Sequence, residues 1–154
     1  MRKPPRWISK QAVFAIHERL LAEHGGAPGL RDEGMLEAAL AGRRHHFAYQ
    51  QADILRLAAA YAHALSRNHP FVDGNKRVAL TVAGVFMELN GYRFDASERD
   101  AANAMRALAS REIDQVGFAR WLRTCTSRLR VTSRRAIPKV TSRRRKQPKQ
   151  KQPR

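Results

Sequence analysis

The stretch His69-Pro70-Phe71-Val72-Asp73-Gly74-Asn75-Lys76-Arg77 decides how this chain is read, because it sets a base, a carboxylate, a helix start and two cations side by side. The residues before it, Asp53 to Arg67, carry Ile54, Leu57, Ala58, Tyr61, Ala62 and Leu65 at three- and four-residue intervals, the stripe of a helix with one buried face. Asn68 can end that helix, and Pro70 biases His69 away from helical angles, so the histidine is expected on a turn. A second helix is predicted from Asn75 to about Asn90, with Val78, Leu80, Val82, Val85, Phe86 and Leu89 as an unusually apolar body and Gly91 as its stop. The stretch is therefore a short loop between two helices. It ends where the unpaired backbone N–H groups of a new helix point outward, a geometry that receives anions.

The side chains at this turn suggest what the anion is for. A free imidazole titrates at about pH 6.5, so near neutrality a histidine such as His69 can take a proton from a hydroxyl. Asp73 can hold Mg2+ or orient the base, since one carboxylate plus nucleotide phosphates is a usual way to bind that hard cation. Gly74 lets the backbone approach a phosphate closely. Lys76 offers a point charge, and Arg77 a planar fork that can grip phosphate oxygens in two places. Phe71 is expected to point into the core and fix the loop. A polar interhelical loop with a satisfied histidine is the bland alternative, and the joint occurrence of these features at a helix entry weighs against it.

The rest of the chain reads as one domain, mainly α. Its 154 residues, 43% of them hydrophobic, can bury one modest core. Ser9 caps a predicted helix running to Ala22 or Glu23 and closed by Gly25-Gly26. Asp32 or Glu33 opens another through Leu40. Ser97 with Asp100 forms a capping-box-like start for a helix to about Ala109, and Asp114 opens a last one bearing Val116, Phe118, Trp121 and Leu122. The expectation is a compact bundle of about six helices with at most a short β flap, formed if Gly42–Tyr49 and Tyr92–Phe94 pair briefly. The single cysteine, Cys125, rules out an internal disulfide and a cysteine-rich zinc site, and fits a structural role. The adjacent His45 and His46 have no cysteine or spaced acid partner, so a metal site there is disfavoured. The basic start Met1-Arg2-Lys3-Pro4-Pro5 precedes no apolar run of signal length, which predicts a cytoplasmic protein that does not contact a membrane.

The formal net charge is +17, and its distribution matters more than its size. From Arg128 to Arg154 there are twelve Lys or Arg and no acid, so the preceding residues carry eighteen basic against thirteen acidic, or +5. The excess is a tail rich in Lys, Arg, Gln, Pro and Ser, with too little apolar surface to offset the entropy of ordering it. Two units follow: a domain at 1–127 and a basic, disordered tail at 128–154. The tail can contact nucleic acid non-specifically by counterion release, or can serve only as a solubilising extension.

His69 to Arg77 resembles the Fic motif, whose general pattern is His-x-Phe-x-acid-Gly/Ala-Asn-Gly/Lys-Arg, and the lysine form found here is similar to the death-on-curing (Doc) branch of the Fic/Doc family. Trp7-Ile8-Ser9, Ile16-His17, Glu23-His24-Gly25-Gly26, Gly29-Leu30-Arg31-Asp32-Glu33-Gly34, Leu36-Glu37-Ala38-Ala39-Leu40, Leu89-Asn90-Gly91 and Phe118-Ala119-Arg120-Trp121-Leu122 extend the likeness. It covers about residues 6 to 124. The resemblance implies a Fic fold and a toxin of a toxin–antitoxin system. It further implies that ATP gives its γ-phosphate to a Ser/Thr hydroxyl of a target protein, a threonine of elongation factor Tu in this family, inhibiting translation. His69 would be the catalytic base, Asp73 the Mg2+ carboxylate, and Gly74, Asn75, Lys76 and Arg77 the nucleotide ligands. Arg67 matches a Doc arginine that reaches the nucleotide or the target, or it is an ordinary solvated helix-end cation. Gly42 to Tyr49 lies where the family has a target-docking flap; a surface loop is the other reading.

Members that transfer AMP instead resemble His-Pro-Phe-x-acid-Gly-Asn-Gly-Arg-x-x-Arg. Here Lys76 replaces the glycine that admits the phosphates, and Leu80 stands where the last arginine would be. Both departures disfavour AMP transfer and leave it as the alternative activity. A catalytically inactive nucleic-acid- or ribosome-binding module built on the tail is the alternative from another class. The chain also has no Ser/Thr-x-x-x-Glu-Gly/Asn segment, the family's inhibitory helix. The resemblance then implies inhibition by a separate Phd-like antitoxin.

Overall fold

A computed structural model describes residues 3–50 and 53–130, excepting the side chains of residues 43, 45, 46 and 48–50. The tail beyond 130 lies outside the described residues. Six helices and a two-stranded sheet follow in chain order: α1 Lys10–His24, α2 Glu33–Gln50, α3 Ile54–Asn68, α4 Asn75–Leu89, β1 Tyr92–Phe94, α5 Glu98–Ala109, α6 Gln115–Thr124 and β2 Thr126–Arg128. The mainly α bundle expected from the sequence is what forms.

Helix α3 is the centre. Leu55, Leu57, Ala58, Ala59, Ala60, Tyr61, Ala62, Leu65 and Ser66 are all buried, so the helix is covered on nearly every side. Helices α2, α4, α5 and α6 all pack on it. The run of alanines allows this, because small side chains let several neighbours approach one helix closely. Its main partner is α4, which buries Val78, Ala79, Val82, Ala83, Phe86 and Met87. The deep Tyr61 ring tilts against Phe86 at 4.9 Å between centroids, and its hydroxyl accepts the Ile8 N–H at 3.3 Å, so one buried phenol also ties down the N-terminal segment. Among the described residues no helix is long and apolar enough to cross a membrane.

The expected N-caps at Ser9, Ser97 and Asp114 do cap: their side chains accept from the N–H groups of Ala12, Asp100 and Gly117. Asp53, which the sequence reading placed only at the start of the α3 stripe, also caps, accepting from the Arg56 N–H. Asp32 does the same for Met35 at the start of α2. Two expectations are corrected. Helix α2 does not stop at Leu40 but runs on to Gln50, so Gly42 to Tyr49 is helix and forms no β flap. A lone glycine costs a helix only about 1 kcal/mol, and here the continued helix sets Phe47 edge-to-face against Trp7 at 6.0 Å and Arg44 over the same ring at 5.9 Å. Tyr92–Phe94 does pair, but with Thr126–Arg128: the antiparallel register is Tyr92↔Arg128, Arg93↔Ser127 and Phe94↔Thr126. The Leu129 N–H then donates to Gly91 O at 2.8 Å, which closes the end of the ladder.

Asp53 joins two elements. Its Oδ1 caps α3 through the Arg56 N–H at 2.8 Å, and its Oδ2 accepts from Arg123 of α6 at 2.6 Å. Burial alone would push this carboxyl up, but the Arg56 N–H and the Arg123 guanidinium outweigh it and hold the group below its ordinary value. A depressed folded-state pKa contributes stability above the unfolded value, and that contribution disappears as pH falls through the folded value. Asp53→Asn keeps a capping oxygen but loses the charge. It should therefore lower stability to urea at pH 7 by up to about 1 kcal/mol, the range of a half-exposed pair, and the gap from the parent should close below about pH 4. Urea melts at pH 7 and pH 3 check this.

Candidate active site

The loop between α3 and α4 is held from below by Phe71. Its ring is 2% exposed, edge-to-face with Phe14 at 6.2 Å and stacked on His17 at 3.9 Å with the planes 15° apart. The backbone of the same residue is held from the side by Asn75, whose Oδ1 accepts the Phe71 N–H and whose Nδ2 donates to the Phe71 carbonyl, both at 3.0 Å. One amide thus folds the loop back onto the first residue of α4.

The segment before α2 is laid along the other side. Leu30 and Phe71 form an antiparallel bridge. The N–H groups of Arg31 and Asp32 donate to Pro70 O at 2.7 and 3.0 Å, and the Val72 N–H donates to Gly29 O at 3.0 Å. Asn68 Nδ2 donates to Met35 O at 3.0 Å. In this frame His69 caps α3 in the left-handed conformation, φ 44° and ψ 56°, and is exposed. That conformation is uncommon for a residue other than glycine and costs of order 1 kcal/mol or more. Arg31 meets the end of α3, donating from Nε to His69 O at 2.6 Å and from Nη2 to Asn68 O at 2.8 Å.

Asp73 is exposed towards the other end of the loop, just before α4. Its Oδ1 accepts the Gly74 N–H at 2.8 Å, and its Oδ2 accepts the Ala27 N–H at 3.2 Å. Gly26, just after α1, makes room for it: a Cβ there would fall 2.8 Å from Asp73 Oδ2. The Asp73 carbonyl accepts from His17 Nε2–H at 2.9 Å. His17 is 5% exposed, so α1 pins both the ring of Phe71 and the backbone of Asp73 through one buried side chain.

Helix α4 starts differently from the other five described helices. Gly74 precedes it at φ 79°, and no side chain caps it. Its first turn holds no acid, whereas Lys76 and Arg77 stand there exposed. Two cations at the positive end of a helix dipole oppose the usual preference, which is for an anion. Neither makes an ion pair among the described residues. An anion bound over this turn would satisfy the backbone N–H groups and both cations together.

The residues singled out in the sequence divide by geometry. His69, Asp73, Gly74, Lys76 and Arg77 share the one loop and helix start, with their polar groups at the surface. Asn75 lies among them, but both ends of its amide are committed to Phe71, so what it can offer a ligand is its backbone. Arg67 is half-buried on the last turn of α3 and has no ion-pair partner among the described residues. Residue-by-residue reasoning missed His17 and Arg31. The first carried a faint signal, a polar residue at the helical spacing of Val13 and Leu20 on a buried face. The second carried none, because its partners are main-chain carbonyls distant in sequence.

A helical bundle whose two most buried helices are joined by a His-Pro-Phe turn, with an uncapped helix start beside the histidine, has the architecture of a Fic fold. Comparison with known proteins agrees: the sequence model of the Fic/DOC family matches residues 7–87, from the N-terminal segment through α4. Protein kinase doc of Escherichia phage P1 is 37% identical over 95 residues, covering 60% of this chain and 75% of that protein. Toxin Doc of Mycolicibacterium smegmatis is 39% identical over 95 residues, covering 58% and 72%. The chain belongs to the Fic/Doc family, and both relatives are of its Doc type.

Asn75 gives the geometry a direct test. Asn75→Ala removes two hydrogen bonds and leaves the Phe71 backbone groups in need of partners, so stability should drop by about 1–3 kcal/mol. Arg77→Ala removes an exposed cation from the unfavourable end of a dipole and should leave the melting temperature the same or slightly higher. Thermal melts of the two variants distinguish a staple from a ligand.

Proposed function

We propose that the chain is a Doc-type toxin kinase that transfers the γ-phosphate of ATP to a Ser/Thr hydroxyl of a target protein. The observation that carries the reading is the uncapped start of α4, with Lys76 and Arg77 exposed on it and His69 at the other end of the same loop. On this reading one short loop carries both the site for the phosphates and the base for the acceptor hydroxyl. The name of the phage relative, a protein kinase, supports the same direction of chemistry. So do two positions that differ from AMP-transferring members: Lys76 stands where they have glycine, and Leu80 packs against the core rather than offering a terminal clamp.

In the transfer, His69 takes the proton of the acceptor hydroxyl as the oxygen–phosphorus bond to the γ-phosphate forms. The bond from that phosphorus to the β,γ-bridging oxygen breaks, and ADP leaves. Lys76, Arg77 and the first N–H groups of α4 neutralise the phosphate oxygens, which is most of what phosphoryl transfer asks of a protein. Arg67, on the last turn of α3, would contact nucleotide or target. Asp73 would hold Mg2+: it is exposed, and each of its oxygens accepts a single backbone N–H and keeps lone pairs free. Such a cation, shared between Asp73 and the phosphates, would offset charge on the transferred group.

The expected target is elongation factor Tu in the cytoplasm. The expected inhibitor is a separate Phd-like antitoxin, in keeping with the relative named as a toxin. Incubation with elongation factor Tu and ATP labelled at the α or the γ position tests the reaction. Label should pass from the γ position only, and His69→Ala should slow it by about 10²–10⁴-fold, the usual contribution of a general base. Label from the α position would assign AMP transfer instead. No label from either position, with RNA binding lost on truncation after Cys125, would favour a binding module that uses the basic tail.

A further inference from the structure

The left-handed histidine needs a cause, and the sequence of the loop does not supply one. His69 is followed by proline, which favours an extended residue before it. Its observed φ of 44° lies in a region that side chains other than glycine rarely occupy. It ends α3, so its own carbonyl and that of Asn68 are among those a helix leaves without partners. Both are taken by one side chain. Arg31 Nε donates to His69 O at 2.6 Å, and Arg31 Nη2 donates to Asn68 O at 2.8 Å. The backbone of Arg31 is itself fixed to the loop through its N–H on Pro70 O at 2.7 Å, beside the Leu30–Phe71 bridge. The guanidinium therefore starts from a pinned Cα and has little freedom to leave.

We infer that Arg31 is a positioning residue: its guanidinium, bridging the carbonyls of Asn68 and His69, holds His69 in its left-handed conformation and so sets the direction in which the imidazole leaves the end of α3. The inference rests on the reading of His69 as the base. Lysine is a poor replacement in this role, because its ammonium is a point charge without the fixed, parallel Nε–H and Nη2–H groups that meet the two carbonyls here. A charge at the C-terminal end of α3 would be equally well served by lysine. That difference separates positioning from a general electrostatic effect.

The test uses the full chain and two kinds of readout. In wild type, Arg31→Ala and Arg31→Lys, NMR of uniformly labelled protein follows the backbone shifts of residue 69 and of residues remote from it, such as those in α5. The expected result is that residue 69 leaves its left-handed shifts in both variants while the α5 amides stay put. In the transfer assay kcat should fall about 10–100-fold in both, the scale of a misplaced reacting group, with KM for ATP within about twofold. Millimolar guanidinium should restore part of the rate to Arg31→Ala and none to Arg31→Lys. Left-handed shifts retained at residue 69 in both variants, or an Arg31→Lys rate equal to wild type, would overturn the inference. If Arg31→Ala does not fold, Arg31→Lys carries both readouts. If wild-type protein transfers no label, the kinase reading fails by itself, and the NMR arm still decides whether Arg31 sets the conformation of His69.

Discussion

Burial of Phe71 is the constraint on which the arrangement of this site depends. A buried phenylalanine contributes about 1.5–3 kcal/mol of transfer free energy, enough to fix one point of a loop that has no regular structure of its own. Once that ring is set between Phe14 and His17, the loop has little choice. The Phe71 backbone is close enough to Asn75 for the reciprocal amide contact, which places the first turn of α4. Two residues upstream is His69 and two residues downstream is Asp73, so both polar ends of the loop are located by reference to one apolar anchor. Because His17 also holds the Asp73 carbonyl, α1 takes part in the site without presenting a side chain at its surface.

The loop also needs a firm floor. Helices α3 and α4 provide it by burying most of their apolar residues against each other and against the surrounding helices. The cost of the left-handed histidine and of two cations at a helix N-terminus is small against that burial. Strain and mismatched charge of this kind gather where a protein binds something. Here both features belong to one loop and the helix it opens, and an anion bound at that helix start would meet the two cations.

Much of this was legible in the sequence, for reasons that can be named. The caps at Ser9, Ser97 and Asp114 are local chemistry, a side-chain oxygen meeting N–H groups three residues on, and such signals survive without knowledge of the fold. The apolar stripe of α3 and the composition of the His69–Arg77 loop are likewise local. What was hidden depended on distant partners. The extension of α2 past Gly42 is accompanied by contacts to Trp7, and β2 exists because Tyr92–Phe94 lies beside a segment with no strand pattern of its own. His17 and Arg31 were hidden for the same reason, since each acts on main-chain carbonyls of a loop remote in sequence. Asn75 shows the reverse error: a residue of ligand chemistry in a ligand-like motif whose side chain is committed to holding the loop.

The central claim is that the start of α4, beside His69, is where a nucleotide's phosphates bind. Amide chemical shifts of the full chain titrated with ATP and Mg2+ address it most directly. The account predicts that the largest changes fall on the N–H groups of Gly74, Asn75, Lys76 and Arg77 and on His69, with the capped starts of α1, α5 and α6 unmoved. Saturable binding with its largest shifts at another surface, and none at residues 74–77, would contradict it.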